Sequence, residues 1–153
     1  MGYETRLTEM GITLPEAPKP ENTCVPAIQI GNYVYASGQV PSGNRRIQFQ
    51  GKLGREVLVE EGYEAAKVCA INSLAAIKQV IGNLDNIDQV VKLVGYVNSA
   101  PGFVEQLKVV AGASELIEKV FDGRGEAFCS VVGVAELPVN SSVKVDLIVK
   151  VRP

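Results

Sequence analysis

The stretch Val143–Val151, VKVDLIVKV, alternates between apolar and mostly charged residues. Its odd-numbered positions are all apolar, whereas Lys144, Asp146 and Lys150 occupy three of the four even-numbered positions. Successive side chains of a β-strand point to opposite faces, so the pattern predicts a strand with one dry face and one wet face. The fold must therefore supply a layer that covers the dry face.

The segment just before this strand, Gly125–Pro138, has a different pattern. Residues 131–135, VVGVA, are apolar or small at every position, so neither face of this second predicted strand is charged. Helices can cover one of its faces, but a lone two-layer domain has nothing to cover the other. We therefore expect the second face to meet another copy of the chain.

Two other regions are predicted to form strands. Ile28–Val40 is rich in β-branched and aromatic residues and contains Gly31-Asn32, a pair typical of a tight hairpin turn. Gln89–Val97 is apolar on both faces, as expected of a central strand. Residues 41–54 are predicted to form a loop with a short extended piece.

Two segments carry apolar or small residues at helical spacings of three and four. Gly82 is the predicted end of the first helix. The second is predicted to begin with a cap at Asn98 or Ser99 and to end at Asp122. The apolar stripes comprise Tyr63, Ala66, Ala70, Leu74, Ile77 and Ile81 in the first helix and Phe103, Leu107, Val110, Ser114, Ile117 and Phe121 in the second.

The order of these elements, ββ, α, β, α, ββ, indicates an α+β fold with two helices on one face of a mixed sheet. The length of 153 residues suits a single domain spanning residues 1–153. Within it, residues 1–26 are predicted to form an extended N-terminal segment, because four prolines lie between positions 12 and 26.

Composition excludes several kinds of chemistry and partner. The chain has no histidine, which removes Ser-His-Asp and Cys-His arrangements and the commonest neutral metal ligand. A net charge of −2 with scattered Lys and Arg gives no electrostatic footprint for nucleic acid, and no apolar run reaches the ~20 residues of a membrane span. We expect no metal, cofactor, nucleic acid or membrane partner. Three cysteines without CxxC spacing, and no secretory signal, favour a cytoplasmic protein.

Several motifs, in their order and spacing, resemble the RidA (YjgF/YER057c/UK114) family, also known as the endoribonuclease L-PSP family. The resemblance covers roughly Cys24 to Val151 and implies a chorismate-mutase-like fold with a mixed six-stranded sheet and two helices on one face. It also implies a homotrimer with ligand clefts between neighbouring subunits. The motifs are YASGQVP at 35–41, EEGYEAAKVCAINSLAAI at 60–77, VVKLVGYV at 90–97 and VGVAELP at 132–138.

In the deaminating members of this family, hydrolysis of enamine and imine intermediates depends on an arginine that binds the substrate carboxylate. Counting from VGVAELP places that arginine at Cys129 and the family's acid at Lys144. A thiol carries no positive charge and is only a weak donor. The chain thus resembles a RidA-like subgroup that lacks the deaminase arginine, and we expect its deaminase activity to be weak or absent.

The resemblance leaves two hypotheses for the site. One is a trimeric protein that binds a small metabolite in its intersubunit clefts, with Ser37, Gly38, Cys24 and Ser130 as binding residues. The other is a hydrolase that acts on a different, uncharged imine or carbonyl substrate. The candidate catalytic groups are Cys129 and Lys144, with bound water.

Each candidate also has a simpler interpretation. Without a histidine to activate it, Cys129 is better explained as a space-filling strand residue, and Cys69 lies among alanines as a packing residue. Arg45-Arg46 could contact an anion, although a surface role is favoured. Ribonuclease activity has little support in a net acidic chain without histidine.

Overall fold

The computed structural model of the chain describes residues 2–17, 19, 23–43 and 46–153. Short 3-10 turns lie at Leu84–Asn86 and Pro138–Asn140. The helices and strands, in chain order, are α1 (Tyr3–Glu9), β1 (Ala27–Ile30), β2 (Tyr33–Gln39), β3 (Ser42–Gly43), β4 (Arg46–Ile47), α2 (Val59–Ile81), β5 (Ile87–Asn98), α3 (Gln106–Phe121), β6 (Phe128–Val134) and β7 (Val143–Val151).

The main sheet has the strand order β1-β2-β7-β5-β6. β5 and β6 are parallel and the other neighbours are antiparallel, so the predicted mixed sheet is confirmed. The predicted number of six strands is wrong for the described residues, because the main sheet has five. The short extended piece in residues 41–54 instead forms the separate pair β3–β4, in which Ser42 lies opposite Ile47.

The core lies between the sheet and the helices α2 and α3. Every odd-numbered residue of β7 is buried, as the alternation predicts, and Val145, Leu147 and Val149 are fully buried. β5 lies between β7 and β6, which confirms the predicted central strand. The hairpin prediction is also confirmed, since Gly31 turns the chain between β1 and β2 with a φ of 60°.

The N-terminal segment that was predicted to be extended contains the helix α1. Leu7 of this helix is buried, and the Arg6 guanidinium donates a hydrogen bond to the carbonyl oxygen of Val120 at 2.7 Å. Glu4 forms an ion pair with Lys78 of α2. The prolines that suggested an extended chain all lie after α1, so they place no constraint on its backbone.

The predicted start of the second long helix is wrong. α3 begins at Gln106, and Asn98 is the last residue of β5, fully buried with its amide donating to the Ser141 carbonyl at 3.0 Å. Phe103 packs against the core from the connecting loop. Leu107, placed in the apolar stripe by spacing, is 75% exposed. The apolar spacing in the sequence therefore includes a residue, Leu107, that the helix exposes to solvent.

Helices α2 and α3 approach each other closely at Gly112. A Cβ at this position would lie 1.9 Å from the carbonyl oxygen of Tyr63. That atom belongs to the backbone of α2 and cannot move without shifting the helix. The contact therefore fixes the distance between the two helices that cover the sheet.

We expect Gly112→Ala to lower the free energy of unfolding by about 3 kcal/mol through overpacking. Helix propensity alone predicts the opposite sign, a gain of about 1 kcal/mol. Denaturant unfolding followed by circular dichroism measures the difference. The control is Ser114→Ala on the same helix, which should change stability by less than about 0.5 kcal/mol. Stabilisation by Gly112→Ala would contradict the close approach.

Candidate functional site

A cleft of about 460 Å³ opens beside the end of β2. Its walls come from the segment before β1, from β2 and β7, from the β3–β4 pair and from the turn between β6 and β7. Four of the predicted site residues line it, namely Cys24, Ser37, Gly38 and Lys144. Their roles in binding stay predictions, but the fold brings them together from three separate parts of the sequence.

A β-bulge positions the predicted binding residues of β2. Ala36 pairs with Leu147 and Gln39 pairs with Val145, so two residues of β2, Ser37 and Gly38, lie opposite one residue of β7. Such bulges turn side chains away from the regular ladder and often lie next to active sites. Here the bulge directs the chain towards the cleft.

Ser37 is tied to the segment before β1. Its backbone N–H donates to the carbonyl oxygen of Pro26 at 2.9 Å. Its hydroxyl lies 3.4 Å from that carbonyl oxygen and from the Val25 carbonyl oxygen. The hydroxyl is exposed at the cleft wall and can accept a hydrogen bond from a ligand.

Gly38 lies directly beneath the side chain of Lys144. A Cβ at position 38 would lie 1.8 Å from Cε of Lys144. The absence of a side chain thus lets the lysine stem cross β2. The Lys144 ammonium lies 6.0 Å from the centroid of the Tyr96 ring, at the outer limit of a cation–π contact.

Asp146, two residues along β7 from Lys144, accepts a hydrogen bond from the Tyr96 hydroxyl at 3.2 Å. Burial raises the pKa of Tyr96, and the Asp146 carboxylate raises it further. Tyr96 therefore stays a neutral donor. Asp146 lines a second hollow, which adjoins the cleft and shares Ser37, Gly38 and Lys144 with it.

The structure does not bring Cys129 and Ser130 into this cleft. Both lie on β6, three strand spacings or about 14 Å from β2. Cys129 lies opposite Leu93, whose side chain is buried beneath the helices, whereas Lys144 lies on the other face of the sheet. Within one chain, the two candidate catalytic residues cannot act on the same ligand.

The surroundings of Cys129 do not activate its thiol. Burial raises the pKa of Cys129, so the reactive thiolate is scarcer than in a free cysteine. The nearest cation along the chain, Arg124, is paired with Asp88 at 3.3 Å. Cys69 is fully buried, with a pKa raised well above its usual value by burial, which supports its predicted packing role.

Basic side chains dominate the charge of the cleft wall. Lys19, Arg46 and Lys144 line it, and among the described lining residues none is Asp or Glu. The sequence favours a simple surface role for Arg46, and its neighbour Arg45 lies outside the described residues. Lys19 belongs to no recognised motif, and only the fold brings it to the cleft.

The face of the sheet opposite the helices exposes apolar side chains on both outer regions. Ile28 and Ile30 of β1 are 50% and 61% exposed, and Phe128 of β6 is 78% exposed. Tyr35 and Val132 continue this surface. We call these five residues the open-face patch.

The described ranges contain neither a helix that could span a membrane nor a side-chain cluster that could hold a metal ion. None of the helices there is long and apolar enough to cross a membrane. In the same part of the chain, no three His, Cys, Asp or Glu side chains come together in a group that could hold a metal ion.

Comparison with known proteins identifies relatives over almost the whole chain. The sequence model of the family described as YjgF/chorismate mutase-like, putative endoribonuclease, matches residues 4–151. Protein TCP17 of Trypanosoma cruzi is 40% identical over 149 residues, which cover 95% of this chain and 92% of that protein. The crystal structure of Atu1372 from Agrobacterium tumefaciens has a TM-score of 0.89 and 43% identity, covering 97% of this chain and 91% of that one. A 2-iminobutanoate/2-iminopropanoate deaminase of Dermatophagoides farinae is 27% identical over 141 residues, covering 92% and 95%.

The raised pKa of Cys129 predicts slow alkylation. Because the thiolate is the nucleophile, a raised pKa lowers its fraction at any pH below that value and moves the midpoint of the rate profile to higher pH. We expect iodoacetamide to modify Cys129 more slowly at pH 7.5 than it modifies free cysteine. Mass spectrometry of the Cys24→Ser variant isolates this site from the other exposed thiol. Faster modification than free cysteine would show an activated thiol.

Proposed function

Because the chain belongs to the YjgF (RidA) family, we propose that it forms a homotrimer that binds a small organic anion in clefts between neighbouring subunits. The observation that carries this proposal is that the predicted site residues lie in two separate places on the sheet. Ser37, Gly38 and Lys144 line the cleft of one chain, whereas Cys129 and Ser130 lie at the far edge of the same sheet. The two halves can form one site only if β6 of a neighbouring subunit lies against the cleft.

The open-face patch supports the trimer. In the described part of the chain, the helices pack against the other face of the sheet, so the apolar side chains of this patch remain in water in a single chain. Large apolar side chains exposed together on one face of a sheet typically mark an interface. β6 is also an edge strand with free backbone groups, a feature that folded proteins usually cover.

The charge of the cleft supports an anionic ligand. Lys144 is placed by its stem over Gly38, and Lys19 and Arg46 lie on the same wall. Lysine binds an anion as a point charge on a flexible stem, whereas arginine supplies a planar fork of donors. The site therefore favours a carboxylate or a similar anion without requiring the bidentate geometry that an arginine at position 129 would impose.

We propose that enamine and imine deamination is weak or lost. The relative from Dermatophagoides farinae carries the name of a deaminase. In this chain the position implied for the deaminating arginine is Cys129, whose thiol is neutral and has a raised pKa. A charged hydrogen bond contributes about 1.5–3 kcal/mol, so its loss weakens substrate binding by roughly ten- to a hundredfold.

The second hypothesis, a hydrolase for an uncharged imine or carbonyl substrate, has less support. It requires Cys129, Lys144 and bound water to act together. The thiol is not activated, and the three cations on the cleft wall favour a charged ligand over a neutral one. Lys144 remains the better candidate for contact with any ligand.

The trimer can be tested by placing a charge in the open-face patch. We expect the wild type to have three times the 16.3 kDa mass of one chain in multi-angle light scattering. Phe128→Asp buries a carboxylate in the proposed interface and should shift the mass towards that of one chain. The control is Leu107→Asp on α3, where the side chain is equally exposed but lies on the helical layer. A monomeric wild type would contradict the proposal.

Restoring the arginine tests the loss of deaminase activity. We expect Cys129→Arg to raise the rate of ammonia release from 2-iminopropanoate at least tenfold over the wild type, because the guanidinium restores a bidentate carboxylate contact. Cys129→Met is the control for side-chain length without charge, and Cys129→Lys should give an intermediate gain. The proposal fails if the wild type already releases ammonia as fast as deaminating members of the family.

A further inference from the structure

The turn between β6 and β7 holds a valine in an unfavourable backbone conformation. Val139 has a φ of 54° and a ψ of 26°, in the left-handed region that β-branched residues rarely adopt. Its neighbour Asn140 also has a positive φ of 56°, but asparagine tolerates this region. Strain of this kind persists only where the surrounding structure imposes it, and it is concentrated at functional sites.

Hydrogen bonds from the loop after β4 impose the conformation of this turn. The side-chain amide of Gln50 donates to the carbonyl oxygen of Val139 at 2.8 Å. The backbone N–H of Gly51 donates to the carbonyl oxygen of Asn140 at 2.9 Å. Both residues with a positive φ are therefore held directly by the same short segment.

A buried lysine fixes the two ends of the turn. Lys52, whose side chain is only 12% exposed, donates to the carbonyl oxygen of Ala135 and to the side-chain oxygen of Asn98 at 2.9 Å. It also pairs with the Glu136 carboxylate at 3.2 Å. Asn98 in turn donates to the Ser141 carbonyl. The turn is thus anchored before, within and after Val139.

Packing in the core does not explain why this strained position is a valine. Its side chain is 62% exposed and lines the cleft next to Pro138. A glycine or asparagine would satisfy the same backbone with less strain. What the valine adds is an apolar branched surface that faces the ligand space.

The lining of the cleft contains both cations and apolar side chains. Its cations are Lys19, Arg46 and Lys144, whereas Val139 belongs to an apolar group of lining residues. A small carboxylate with an apolar tail can contact both kinds of lining residue. The other apolar lining residues are Val25, Pro26, Val40, Ile47 and Pro138.

We infer that Val139 is a specificity-determining residue that limits the length of the apolar tail of a short-chain carboxylate held by Lys144. This inference rests on the proposed anion site. The contacts of Gln50, Gly51 and Lys52 with the turn hold Val139 in place. The limit on tail length is therefore set by a fixed wall of the cleft rather than by a mobile loop.

The test is a calorimetric titration of the wild type and Val139→Gly with propanoate, butanoate, pentanoate and hexanoate. For the wild type we expect the affinity to rise with chain length and then stop rising. For Val139→Gly the rise should continue to a longer acid, by about fourfold for each additional methylene that enters the cleft. Glycine accepts the backbone conformation, so the melting temperature should stay equal or increase.

Two control variants separate this inference from the proposed function. Asn140→Gly relaxes the neighbouring positive φ but does not line the cleft, so its chain-length limit should match the wild type. Lys144→Met removes the cation and should weaken binding of every acid at least tenfold. If Lys144→Met has this effect but Val139→Gly keeps the wild-type limit, the inference about Val139 is wrong. If no acid binds the wild type, or Lys144→Met binds as well as the wild type, the anion site itself is wrong.

Discussion

The structure depends on a sheet that, over the described residues, has helices on one of its faces and none on the other. The alternation of β7 sends its odd-numbered side chains into the core with α2 and α3 and leaves Lys144 and Asp146 on the other face. The same face carries the open-face patch at both outer regions of the sheet. One face is therefore covered by helices of the same chain, and the other exposes apolar side chains beside charged groups.

The elements predicted correctly are those whose signals are local. The alternation of β7, the Gly31 hairpin and the helix that ends at Gly82 each follow from side-chain parity, turn chemistry or helical spacing. The errors arise where contacts between residues far apart in the sequence determine the local structure. Asn98 has the chemistry of a helix cap, but it ends β5 because its amide binds the Ser141 carbonyl across the fold. The helix α1 is stabilised by long-range contacts such as that of Arg6 with Val120, which have no local signal.

The candidate site also combines residues that local motifs predict with residues that only the fold reveals. The motif around Ser37 and Gly38 predicted two cleft residues, and counting along the last strands added Lys144. Spacing alone could not show that Cys129 lies three strand spacings away on the opposite face. Nor could spacing identify Val139 as a cleft residue with a strained backbone, because that strain depends on hydrogen bonds from a loop some ninety residues earlier in the chain. A sequence motif names candidate residues, whereas only the fold shows which of them one chain brings together.

We propose that β6 of one subunit, the strand that carries Cys129 and Ser130, lies against the cleft of its neighbour. It can be tested with the native thiols, because Cys24 lines the cleft and both cysteines are exposed, whereas Cys69 is buried. A short bismaleimide should join Cys24 of one chain to Cys129 of the next, giving covalent dimers and trimers on a denaturing gel. Either Cys24→Ser or Cys129→Ser should abolish them. A product that stays at the mass of a single chain under conditions where both thiols are modified would contradict an intersubunit site.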